Sequence, residues 1–215
     1  MRPASVQQSN LRFPLTALLG SGASVRVLRA LADHAQPIGI VPIARECGLT
    51  RAGAERVLDM LVTQQMVHSY GSSRTQLFQL NAKHPLAPAL EALFRHEQAR
   101  WTGLHLAIRQ LLKNVAEIES AWYFGSVARG TDSPQSDFDI GLIVTDENRV
   151  DEVADLFRDR LHPLEEQFYV SFSVLALSRG DVGRLLREGD ELWSNIALDA
   201  KPLKGRTPQE YADQP

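Results

Sequence analysis

Two carboxylates and a small glycine-led turn are the residues of this chain best placed to do chemistry together. Asp137 and Asp139 lie two apart in the run Ser136-Asp137-Phe138-Asp139-Ile140-Gly141-Leu142-Ile143-Val144. The run alternates, so as a strand it puts Phe138, Ile140, Leu142 and Val144 on one face and Asp137, Asp139 and Gly141 on the other. At a rise of about 3.3 Å per residue the two acids stand about 7 Å apart along that face. Carboxylates leaning inward at that spacing can hold one or two Mg2+ ions, whose oxygen ligands sit at about 2.1 Å. Gly141 is expected to leave open space beside them.

Upstream, Gly125-Ser126 closes the apolar run Ser120-Ala121-Trp122-Tyr123-Phe124 and leads into Val127-Ala128-Arg129-Gly130. Lacking a Cβ, Gly125 lets a phosphate approach the backbone N–H groups of a strand-to-helix turn, and Ser126 adds a hydroxyl donor. Arg129 completes the candidate nucleotide-binding set. Phosphate oxygens repel carboxylates, so the arrangement makes sense only with a bridging divalent metal.

Positioning these groups needs strands on both sides of the turn and helices to cover them. Val150 to Leu161 reads as an amphipathic helix through Val153, Phe157 and Leu161. Phe168 to Leu177 is strongly β-forming. Its alternation puts Phe168, Val170, Phe172 and Val174 on one face and Tyr169, Ser171, Ser173 and Leu175 on the other. Short helices follow over Asp181 to Arg187 and around Trp193 to Ala197, and the tail from Gly205 is expected to be disordered.

Gly-Ser, ten intervening residues and Asp-x-Asp, set between strands, resemble the nucleotidyltransferase superfamily that includes DNA polymerase beta. The extended form from Gly125 to Gly130 and from Ser136 to Asp139 looks most like its minimal prokaryotic branch. The resemblance covers about residues 90–205. It implies Asp137 and Asp139 as catalytic metal ligands, Mg2+ as cofactor and an NTP as ligand or substrate. Val127 departs from the basic residue common at that place. The superfamily normally supplies a third carboxylate from a later strand beside the Asp-x-Asp strand. If register sets the polar face of Phe168–Leu177 beside Asp137 and Asp139, Ser171 or Ser173 takes that place, unless Glu165 or Glu166 reaches in. A serine is a poor metal ligand at neutral pH and no base.

The amino-terminal third carries no such chemistry but has its own pattern. Leu11 to Leu19 is a short apolar helix candidate. Ser24 is expected to cap a second helix, whose stripe runs through Val25, Val27, Leu28, Leu31 and Ala32 to about His34. Ile40 to Glu46 reads as a third, stopping at Cys47-Gly48. Gly48 can take the positive φ of a tight turn, Leu49 can plug the corner, and Thr50 is a natural N-cap. In the next helix Val57, Leu58, Leu61 and Val62 bury one face, leaving Arg51, Ala52, Glu55 and Arg56 outward near its start. Met66 to Tyr70 and Gln76 to Leu80 alternate like strands around a polar tip, Gly71-Ser72-Ser73-Arg74.

Helices joined by a short Gly turn and followed by such a hairpin resemble the winged helix-turn-helix domains of bacterial transcription regulators, over residues 11–80. The resemblance implies that Thr50, Arg51, Glu55 and Arg56 belong to the DNA-reading surface, with Arg74 on the wing meeting backbone phosphate or minor groove. Between the two patterns, Pro85 opens a long helical stripe through Leu86, Leu90, Leu93, Phe94, Leu104, Ile108, Leu111 and Leu112, suited to a core or to the seam of a homodimer reading paired half-sites.

The expected fold class is α+β in two domains: a winged helix-turn-helix over 11–82, a helical connector over 83–116 and a mixed sheet with helices over 117–205. The 215 residues suit two cores. Residues 1–80 carry eight Lys/Arg against four Asp/Glu, and residues 81–215 carry fifteen against twenty-two. A basic front and an acidic rear fit duplex DNA as a partner of the first. No apolar run is long enough to span a membrane. The single cysteine, Cys47, makes no internal disulfide, and with no secretory signal in the opening residues a reducing cytoplasm is the expected compartment. Two functions fit: a DNA-binding regulator whose second domain binds Mg-nucleotide with weak or no turnover, or a working Mg-dependent nucleotidyltransferase acting on a protein, RNA or small molecule.

Overall fold

A computed structural model describes residues 15, 18–72 and 75–212. The chain forms two compact units that divide after Gln98.

In the first unit, α1 (Gly22–Asp33) is capped by Ser21, whose hydroxyl accepts from Ser24 N at 3.1 Å. Ser21, not Ser24, is therefore the cap. It holds the extended backbone a cap requires, while Ser24 is buried inside the first turn with its own hydroxyl 2.9 Å from that of Ser21. Next come β1 (Ile38–Gly39), α2 (Ile40–Glu46) and α3 (Arg51–Thr63). Gly48 turns the corner between the last two at φ +59°, and Leu49 packs on the core there. The core is built from Val27, Leu28, Leu31, Ile43, Leu58, Leu61 and Phe78. β2 (Val67–Tyr70) and β3 (Leu77–Leu80) form the expected hairpin. Unexpectedly, two-residue β1 pairs with β3, Ile38 opposite Phe78, giving a three-stranded sheet β1-β3-β2. The helix candidate over Leu11–Leu19 lies largely outside the described residues.

The long stripe is one helix, α4 (Ala87–Lys113). Leu90 and Phe94 enter the core of the first unit and Leu104, Ile108 and Leu112 that of the second, while Leu93 of the stripe is exposed.

The second unit is built on β4 (Ile118–Phe124), β5 (Phe138–Val144), β6 (Phe172–Ser178) and β7 (Lys201–Lys204), in the order β6-β5-β4-β7. β5 runs antiparallel to β4 and parallel to β6. Phe138, Ile140, Leu142 and Val144 share one core with the end of α4 and with α6 (Val150–Phe168). The opposite face carries Trp122 and Ile143, covered by Val182 from α7 (Arg179–Glu188) and by Trp193 and Ile196 from α8 (Glu191–Asp199). Between β4 and β5 lies a single helical turn, α5 (Gly125–Arg129).

Two expectations fail here. Phe168 does not open a strand; it ends α6, buried on the same helical face as Phe157, Leu161 and Leu164. Those four recur at helical spacing, and that packing overrides the β preference of the local run. Tyr169 closes the helix in the left-handed region at φ 51°, and the strand begins at Phe172. The tail is not disordered from Gly205: α9 (Pro208–Ala212) follows β7, and buried Tyr211 meets the Ser120 hydroxyl at 2.8 Å. Among the described residues no helix is long and apolar enough to cross a membrane.

Candidate functional site

The site forms where β4 ends and β5 begins. Phe124 pairs with Asp139 across the two strands. The chain then turns at Gly125, whose φ is +72°. A Cβ on Gly125 would stand 2.5 Å from Asp139 Oδ2. Glycine is required there twice: for the left-handed backbone and so that the carboxylate can lie against the turn. Ser126 is half-buried beside it.

Asp139 is half-buried on the face that alternation assigned to it, and Asp137, two residues earlier, is exposed. Burial pushes the Asp139 carboxyl above its ordinary range. A hydrogen bond from Ser173 opposes the shift, the Asp137 charge adds to it, and the Arg129 guanidinium pulls it down. Arg129 is thus close enough to act on Asp139, yet it is also ion-paired with Asp199 at the end of α8. Asp199, 70 residues away along the chain, carries no local pattern that marks it as part of the site.

The β5–β6 register fixes which residue stands beside Asp139. Asp139 lies opposite Ser173, and Phe138 N donates to Ser171 O at 2.8 Å. The position beside Asp139 on the neighbouring strand is therefore a serine. Glu165 is engaged elsewhere, accepting from Phe172 N at 3.1 Å and lying 3.1 Å from His162 Nδ1. Glu166 is exposed, on the last turns of α6. Among the described residues no cluster of three His, Cys, Asp or Glu could hold a metal ion. Two carboxylates beside a turn that a Cβ would fill do not make an all-protein metal cage. They do fit Mg2+, which takes one or two carboxylates together with substrate phosphates.

Gly141 does not leave open space. A Cβ there would stand 2.4 Å from Trp122 Nε1, so the indole fills the volume beside the acids. The Trp122 N–H is buried without a hydrogen-bond partner among the described residues.

In the first unit, Thr50 caps α3, its hydroxyl accepting from Gly53 N at 3.1 Å. Arg51, Ala52, Glu55 and Arg56 are exposed, while Ala54, Leu58 and Leu61 are buried. The start of α3 thus presents two arginines and a glutamate outward. Arg74 lies outside the described residues.

Residues 107–187 match the family model described as polymerase beta nucleotidyltransferase, and residues 24–69 match that of the IclR helix-turn-helix domain. The chain joins a helix-turn-helix domain to a nucleotidyltransferase domain. No curated protein matches. Among solved structures, a toxin-antitoxin with AMP-PNP is 19% identical, covering 51% of this chain and 82% of that one at a TM-score of 0.37. The MarR family transcriptional regulator SPO1453 from Silicibacter pomeroyi DSS-3 is 21% identical, covering 43% and 68% at 0.34.

Proposed function

We propose that this chain is a cytoplasmic DNA-binding transcriptional regulator whose second domain binds a Mg-nucleotide with weak or no turnover. The observation that carries the reading is Ser173, standing opposite Asp139 where a third carboxylate would complete a nucleotidyltransferase site. Asp137 and Asp139 would hold Mg2+, which when bound neutralises phosphate charge and polarises the α-phosphate. Gly125 lets the phosphates lie against the backbone, Ser126 offers a hydroxyl, and Arg129 places a cation within reach of the same carboxylate.

Opposite Asp139 on β6 stands Ser173 rather than a carboxylate to take the proton of an attacking hydroxyl. A serine hydroxyl is no base at neutral pH. Loss of a positioned base typically removes a factor of about 10²–10⁴. Binding survives on two acids while transfer fails, which suits a sensor better than an enzyme. The active-enzyme alternative needs a base from elsewhere, and the hydrogen bonds of Glu165 tie it to the start of β6.

In the first domain Thr50 fixes the start of α3, and Arg51, Glu55 and Arg56 stand ready to meet base edges in the major groove. Arg74, between the two hairpin strands in sequence, would add a phosphate contact. A homodimer would present two such helices to paired half-sites. The test is calorimetric titration with Mg-ATP of the native chain and of Asp139→Asn. Saturable binding lost in the variant is expected; equal affinity in both overturns the site assignment.

A further inference from the structure

A second site opens at the start of β5 and β6. It is a cleft of about 650 Å³ between the Asp132–Ser136 loop, the end of α6 and residues Arg100, Trp101 and Leu104 of α4. Ser136 and Ser171 line it on the β6 side of the Asp-x-Asp strand, and Val127 of α5 and Phe138 line it too, so it adjoins the Gly125-Ser126 turn without including Gly125, Ser126, Asp137 or Asp139.

The lining is unlike a phosphate site. Asp132, Glu165 and Glu166 contribute three carboxylates. The sole cation among the lining residues, Arg100, already donates to Phe168 O at the end of α6. Glu165 is held ionised below its ordinary range by the Phe172 N–H and by His162. The Asp132 and Glu166 side chains are exposed, and their carboxylates form no hydrogen bond or ion pair with another described residue.

Aromatic surface is the independent feature. Tyr169 is 92% exposed and Trp101 39%, and both line the cleft. The Trp101 ring rests on an aromatic base, 4.2 Å from the His105 ring and 6.4 Å from Phe138 between centroids. Solvent-accessible aromatic side chains lining one cleft with two unpaired carboxylates are the chemistry that receives an ammonium group: the ring quadrupole attracts it and the carboxylates neutralise it. An anion would meet three negative charges there and only a committed arginine.

We propose that this cleft binds a small organic cation, an ammonium group on an apolar or aromatic body, between Trp101 and Tyr169 with Asp132 and Glu166 as counter-charges. The inference does not depend on nucleotide binding at Asp137 and Asp139. A ligand there would sit beside the start of the Asp-x-Asp strand, giving the second domain a cationic effector or co-substrate distinct from its nucleotide.

The test is titration of the full chain with benzyltrimethylammonium, followed by calorimetry, with benzyl alcohol and benzoate as neutral and anionic counterparts of similar shape. Saturable binding of the cation alone is expected. Trp101→Leu should weaken it about 2- to 30-fold, the span of one cation–π contact. The Asp132→Asn and Glu166→Gln double variant, altered only at exposed carboxylates, should weaken it at least as much, with circular dichroism checking that both variants are folded. The proposal is overturned by absence of cation binding, by equal binding of benzyl alcohol or benzoate, or by full cation affinity in the double variant.

Discussion

Replacing Gly125 by alanine separates two consequences that the structure sets at one position. The backbone there is left-handed at φ +72°, and placing a Cβ in that region costs about 1–2 kcal/mol. The new Cβ also stands 2.5 Å from Asp139 Oδ2, where ordinary contact begins at 3.4 Å. Relief requires the carboxylate to withdraw by about 0.9 Å, away from the turn where phosphate would sit. A misplacement on the order of 1 Å in a positioned group is enough to remove about 10²-fold of function. Gly130, at the other end of α5, is the matched control: its φ is +69°, yet a Cβ there meets nothing within 4 Å. Thermal unfolding and Mg-ATP calorimetry on both variants give the comparison. Both should lose about 1–2 kcal/mol of stability, from the backbone alone in Gly130→Ala. Only Gly125→Ala should lose nucleotide affinity, by more than tenfold. Native affinity in Gly125→Ala, or equal loss in Gly130→Ala, refutes the reasoning that the carboxylate and the turn form one site.

Three further outcomes follow from the same geometry. Because burial raises the Asp139 carboxyl above its unfolded value, its ionisation destabilises the fold as pH rises through that raised range. Asp139→Asn should therefore melt higher than the native chain at neutral pH, an advantage that vanishes below the ordinary carboxylate range. Arg129→Ala removes a cation that pulls this carboxyl down, so the pH midpoint for Mg-ATP binding should move upward relative to native, read by calorimetry across a pH series. In gel-shift titrations over genomic fragments, Arg51→Ala or Arg56→Ala should each weaken the preferred sequence by about 1–3 kcal/mol and relax base preference; undiminished selective binding in the double variant contradicts the role given to α3.

Much of the site was legible because it is local. A period of two put Asp137, Asp139 and Gly141 on one face, and Gly125 fell at a strand end whose backbone it alone suits. The serine beside Asp139 could be anticipated even though the strand holding it starts four residues later than expected, because Ser171 and Ser173 keep their parity whether the run begins at Phe168 or Phe172. What escaped was set by partners distant in sequence. Asp199 reaches Arg129 only because α8 packs beside α5. The space beside Gly141 belongs to Trp122, which cross-strand register places there. β1 and β7, two and four residues long, exist through their pairing with β3 and β4 rather than through any run of strand-forming residues. Ser21 and Ser24 are equally plausible caps by composition, and backbone conformation chose between them.

The central claim, a nucleotide site that binds without transferring, is tested most directly by the fate of α-labelled ATP. The full chain is incubated with label and Mg2+ at saturating concentration, beside Ser173→Asp, and the appearance of covalent label on protein, RNA or added small-molecule acceptors is followed over time. Little or no transfer by the native chain is expected, with transfer rising by about 10²-fold or more once a carboxylate stands opposite Asp139. Rapid transfer by the native chain, undiminished by the serine it carries at that position, would contradict the account.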